Sequence, residues 1–195
     1  MGGVKLMSSS RKISFSFNIE KFVNAIAYFA SKTERLDKFK AVKLLYLADR
    51  YHLIKYARPI IGDRYCKLTW GPVPSHSLDE IDAALDLPDF STDLFNQYIK
   101  FDRKPKHPIL KTKKPIDLDV FSKSEIEALD FTLKKYGNKD FNELVRITHS
   151  HATFKKSEYE IDYRLFFEEY PSSKDILELM ELEQEDRDLF KKLSE

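Results

Sequence analysis

The stretch that most constrains the fold runs from Lys40 to Glu80, where a helical pattern is cut off by one proline and a strand pattern by two more. Phe39, Val42, Tyr46 and Leu53, with Leu45 and Ala48 beside them, fall at the three- and four-residue steps that put side chains on one face of a helix. Arg58-Pro59 ends that helix, because proline has no N–H to donate and pushes the residue before it out of the helical region. Ile60-Ile61, the turn pair Gly62-Asp63 and the alternating run Arg64 to Trp70 then predict a short hairpin. Gly71-Pro72-Val73-Pro74 suits neither element, so the strand is expected to leave the sheet there. Ser77-Leu78-Asp79-Glu80 has the spacing of a capping box and predicts that the next helix starts at Ser77.

These residues carry a family resemblance. Lys43-Leu44-Leu45-Tyr46-Leu47-Ala48, followed some two dozen residues later by Trp70-Gly71-Pro72-Val73 and a helix start, resembles the core of the Panacea domain, which a group of bacterial and phage antitoxins share. The resemblance spans Ile19 to Phe167 and includes Leu144 to His149. It departs from the pattern in the tryptophan directly before Gly71 and in the long acidic chain after Glu158. It implies a protein that binds and neutralises a toxin encoded beside it, by direct protein–protein contact and without catalysis.

The remaining patterns are mostly helical. Residues 1–17 read as a flexible leader, although Ile13, Phe15 and Phe17 alternate and could add an edge strand. Asn18 is the expected N-cap of a first helix, whose stripe of Phe22, Val23, Ile26 and Ala27 should meet the Val42, Leu45 and Tyr46 face. A short helix is expected over Asp93 to Tyr98, and an irregular hairpin around the basic Asp102 to His107 loop. Ser122-Lys123-Ser124-Glu125 opens a helix that Gly137 should close in the left-handed conformation, and Asp140-Phe141-Asn142-Glu143 opens another. His149 to Ser157 reads as a polar link, Tyr163 to Tyr170 as a helix, and Lys174 to Leu193 as a last, acidic helix. The expected fold is mainly α: one helical domain over 18–170, a bundle of about six to eight helices with a small β-hairpin inserted after the central helix, plus an acidic C-terminal helix over 171–195.

Charge is nearly balanced overall, at +1, but unevenly spread. Lys100 to Lys114 holds seven lysines and arginines against Asp102 alone, a local +6, whereas Glu158 to Glu195 holds thirteen acids against five bases, a local −8. Cys66 is the only cysteine, which excludes an intramolecular disulfide and a cysteine-rich zinc site. His149-Ser150-His151 is the one close histidine pair and lacks further ligands at helical spacing. The five glycines form no phosphate-cradling motif. No stretch approaches the roughly 20 apolar residues of a membrane span, so a cytoplasmic location is expected.

With no cofactor, metal or catalytic constellation in view, the sequence reads as a binding protein rather than an enzyme. Aromatic side chains on a rigid turn make good interface anchors, so the toxin contacts are expected at Tyr65, Trp70, Gly71, Pro72 and Val73. Lys104, Lys106 and Lys111 are the expected electrostatic docking residues. The alternative is a phage or host transcriptional regulator that uses the basic 100–114 loop on DNA. A proline-broken loop supplies no recognition helix, which disfavours it.

Overall fold

The computed structural model describes residues 12–170 and 174–193. In chain order they form α1 (Ile19–Lys32), α2 (Lys38–Tyr56), β1 (Tyr65–Leu68), β2 (Gly71–Pro74), α3 (Ser75–Asp86), α4 (Asp93–Tyr98), β3 (Ile99–Asp102), β4 (Ile109–Thr112), α5 (Lys123–Tyr136), α6 (Phe141–Ser150), α7 (Ala152–Lys156) and α8 (Lys174–Leu193). Single 3-10 turns occupy Pro88–Phe90 and Tyr163–Phe166. The fold is mainly α, with two small antiparallel hairpins, β1–β2 and β3–β4. Among the described residues no helix is long and apolar enough to cross a membrane.

Helix α2 is the axis. Asp37 caps it by accepting from the Lys40 N–H at 2.8 Å. The one-sided stripe expected from sequence understates its burial, since every residue from Ala41 to Arg50 is buried. One side of α2 gives Val42 and Leu45 to a core shared with Phe22 and Ile26 of α1 and Leu129 of α5. The other side gives Tyr46, Leu47 and Leu53 to a second core with Tyr65, Leu144, Phe166 and Met180. Tyr46 therefore packs in the second core and not against α1. The helix ends before the proline: Ala57 turns left-handed at φ 60° and its N–H donates to the Leu53 carbonyl at 2.9 Å.

The first hairpin corrects the sequence reading. Gly71-Pro72-Val73-Pro74 does not leave the sheet but forms its second strand, pairing Cys66 with Val73 and Leu68 with Gly71. A third segment explains why two prolines are tolerated. Lys67 N–H donates to the Tyr159 carbonyl and the Ile161 N–H donates to the Tyr65 carbonyl, so the backbone groups of Tyr65 and Lys67 point away from β2. Their partners across the hairpin are Pro74 and Pro72, which need no N–H at those positions.

Other expectations were local and moved less. Asn18, Ser122 and Asp140 cap α1, α5 and α6, the last two as full capping boxes. The second hairpin is regular, because Pro105 and Pro108 lie in its connection and not in its strands. Gly137 is right-handed, at φ −58°, and not left-handed; its N–H closes on Leu133 and its carbonyl accepts from Lys40 Nζ at 3.1 Å. The expected link His149 to Ser157 contains α7, and only a 3-10 turn forms after Tyr163. Part of the expected leader is packed: Ile13 is buried in the second core, Phe15 meets Tyr163 and Phe17 stacks on His76. Residues 12–17 form no strand, and 1–11 lie outside the described residues.

Candidate functional site

A helix buried all round must find partners for its polar side chains inside the protein. Lys43 donates from Nζ to the Pro72 carbonyl at 2.7 Å, and burial pulls its pKa down to about 7. This bond ties the two halves of the sequence motif together. Asp49 accepts from the Ile60 and Ile61 N–H groups at 2.8 and 3.1 Å and from the Tyr65 hydroxyl at 2.8 Å. Burial pushes its pKa up to about 7 despite those bonds. Arg50 pairs with Glu169 and donates to the Tyr170 hydroxyl, and His52 bridges the Arg58 carbonyl and Ser124.

Tyr46 shares hydrogen bonds with His151 Nδ1 at 2.9 Å and Thr153 Oγ1 at 2.7 Å. Burial holds His151 near 3, so the ring is neutral at ordinary pH. Tyr46→Phe is expected to cost about 1–3 kcal/mol by leaving both groups unpartnered in the core, read as a lowered urea midpoint with unchanged m-value. An unmoved midpoint would show that the network contributes nothing.

Below the hairpin, Asp63 is the N-cap that α3 lacks in its own sequence. Its carboxylate accepts from the His76 and Ser77 N–H groups at 3.0 and 2.8 Å, from the Ser77 hydroxyl at 2.6 Å, and contacts His76 Nδ1 at 2.8 Å. Ser77 is thus inside the helix and does not cap it, and α3 begins two residues early at Ser75.

The turn between β1 and β2 is pressed against this framework. Gly71 has φ +103°, and a Cβ there would lie 2.7 Å from Thr148 Oγ1 and 2.9 Å from Lys43 Nζ, so the position admits only glycine. What projects is Trp70, 56% exposed. It meets the Phe141 ring edge-on at 5.6 Å, and Phe141 lies 4.1 Å from the Phe39 ring.

The expected site residues divide accordingly. Tyr65, at 1% exposure, is a core residue whose hydroxyl serves Asp49; it presents no surface. Gly71, Pro72 and Val73 are buried and support the turn from behind. Trp70 alone of the five reaches solvent. Lys104 and Lys106 are exposed, while Lys111 is half-buried and donates to the Glu34 carbonyl at 3.4 Å.

Phe39 and Phe141 connect these groups. Besides touching each other next to Trp70, they line a cavity of about 640 Å³ together with Leu85 and Asp86 of α3, Asp37 and Lys38 at the start of α2, and Arg103, His107 and Pro108 of the β3–β4 connection. The sequence reading missed both phenylalanines. The available signal was that Phe141 extends the Leu144–Thr148 stripe of α6 back to the residue after its cap, leaving a large apolar side chain in the first turn.

His149 and His151 do not converge: one stacks on Phe154 at 3.8 Å while the other serves Tyr46. Among the described residues no three His, Cys, Asp or Glu side chains gather as a metal site. The family model for the SocA-like antitoxin Panacea domain matches residues 42–155, which takes in most of α2, both hairpins and the Trp70 turn. Comparison with curated proteins and with solved structures gives no match.

Proposed function

The chain belongs to the SocA-like antitoxin family that carries the Panacea domain, and on that premise we propose that it binds a toxin protein encoded beside it and neutralises it by direct contact in the cytoplasm. No catalytic step is required. The observation that supports this reading is the exposed Trp70, carried on a turn that Gly71, Lys43 and Thr148 hold from behind and flanked by Phe141. A large aromatic with one face free and a rigid base forms an interface anchor at little entropic cost. Masking a toxin by occupancy needs a standard interface of about 1,600 Å² in total, so neighbouring residues must join Trp70. Lys104 and Lys106 steer an acidic partner toward the same face.

Trp70→Ala is expected to leave the melting curve of the free protein nearly unchanged and to weaken toxin binding by at least about 1 kcal/mol, roughly fivefold in Kd. Calorimetric titration of the adjacent gene product, with rescue of growth on co-expression, measures it. Unchanged affinity and full rescue would remove the turn from the interface. Lys104→Ser with Lys106→Ser should slow association without abolishing the complex. A salt-sensitive DNA shift abolished by that pair would instead support the regulator reading.

A further inference from the structure

Helix α8 has two apolar faces, and only one is used. Ile176, Leu177 and Met180 lie against the second core. Leu179, Leu182, Leu189 and Leu193 recur at steps of three, seven and four along the other side, and each is 51% to 74% exposed. Four leucines on one exposed helix face are more than the scattered apolar residues of an ordinary surface. Acids border them: Glu185 stands one turn from both Leu182 and Leu189, and Asp186 lies within the stripe.

The complement to this face exists elsewhere on the same chain. The cavity lined by Phe39, Leu85, Pro108 and Phe141 is mostly apolar, and at its edge Lys38, Arg103 and His107 outnumber the carboxylates of Asp37 and Asp86. Among the described residues, no lysine or arginine between Lys100 and Lys114 is ion-paired, so the loop keeps its local positive charge. An acidic helix with an apolar stripe therefore has, as counterpart, a basic loop beside a mostly apolar recess of about 640 Å³, large enough for leucine side chains. At a net charge of +1, two copies do not repel as wholes, while their opposite ends attract.

We propose that the outer face of α8 docks into the Phe39–Phe141 groove of a second copy of this chain, with the leucines in the recess and the Glu185–Asp186 edge against the basic loop. Two copies make the contact reciprocally about a twofold axis, the commonest closed arrangement, which fills both grooves at once, whereas a one-way contact leaves an end open unless it closes into a ring. At about 1.5 Å per residue the 20-residue helix spans about 30 Å, which lets several leucines reach a neighbour at once. This association goes beyond the toxin reading and is tested without a toxin.

The test is sedimentation equilibrium of the full chain over a wide range of protein concentration and at two salt concentrations. The expected result is a reversible dimer that weakens with added salt. Leu182→Ser with Leu189→Ser, and separately Lys104→Glu with Lys106→Glu, should each raise the dimer dissociation constant at least about tenfold, with circular dichroism melts confirming intact folds. Adding Glu185→Lys and Asp186→Lys to the loop variant should recover most of the loss. A monomer at every concentration overturns the proposal. So does a dimer indifferent to the leucine pair, and a dimer that needs the leucines but ignores the loop charges overturns the groove as their seat. If a leucine variant melts early, the loop variant and its charge-reversed rescue still decide.

Discussion

Asp63→Ala is expected to destabilise the protein by about 3–5 kcal/mol, the largest effect of any single polar side chain. The Asp63 side chain is fully buried, and removing it strands the N–H groups of His76 and Ser77 together with the Ser77 hydroxyl. Each stranded buried donor costs about 1–3 kcal/mol, and loss of a helix cap is itself about 1 kcal/mol. Nothing nearby in sequence substitutes, since α3 has Pro74 at its own N-cap and no side-chain cap. His76→Ala is the control: its ring is half-exposed, so losing its contact should cost much less. Urea denaturation of both variants measures the difference. Equal effects would mean that Asp63 acts through the imidazole and not as a cap.

The second large effect is a pH dependence with opposite signs at two residues of α2. Asp49 titrates near 7 when folded, against an ordinary 3.8. Between about pH 4 and 7 the folded state keeps a proton that the unfolded chain has released, so Asp49 makes stability fall as pH rises across that window, by about 4 kcal/mol. Lys43 titrates near 7 when folded, against 10.5. There the unfolded chain holds the extra proton, and stability rises by a similar amount between about pH 7 and 10. His151, held near 3, adds an upward slope of its own below about pH 6.5, so the readout is the difference between variant and parent. The parent minus Asp49→Asn curve should slope downward from pH 4 to 7 and be flat above. The parent minus Lys43→Met curve should be flat below neutrality and rise above it. Two flat difference curves would show that both groups keep ordinary pKa values in the fold.

Features written in one short segment were legible in the sequence. The caps at Asn18, Ser122 and Asp140 were, because donor and acceptor lie within one turn. The bounds of α4 and α8 also held, the latter over Lys174–Leu193. What failed depended on partners far along the chain. The prolines of β2 argue against a strand until residues 159–161 are known to take the outer side of β1. The cap of α3 comes from Asp63, so Ser77 looked like the helix start. The partners of Lys43, Asp49 and Arg50 are not legible either, since nothing local shows that Pro72, Ile60 and Glu169 wait for them. For the site, Trp70 was visible as an aromatic beside a rigid turn. Its Phe39–Phe141 neighbourhood was not, because α2 and α6 supply one ring each and meet only in the fold.

Because α2 is enclosed from Ala41 to Arg50, it has no side along which sequence can drift without disturbing one core or the other. An ordinary surface helix offers half of its positions to neutral substitution; this one offers almost none in its middle turns. The exposed periphery, at Trp70, at the lysines of the β3–β4 connection and along the outer leucines of α8, carries no such constraint. A lineage built this way could reshape its outer surface while its axis stayed fixed, so the record of its descent would survive longest in α2.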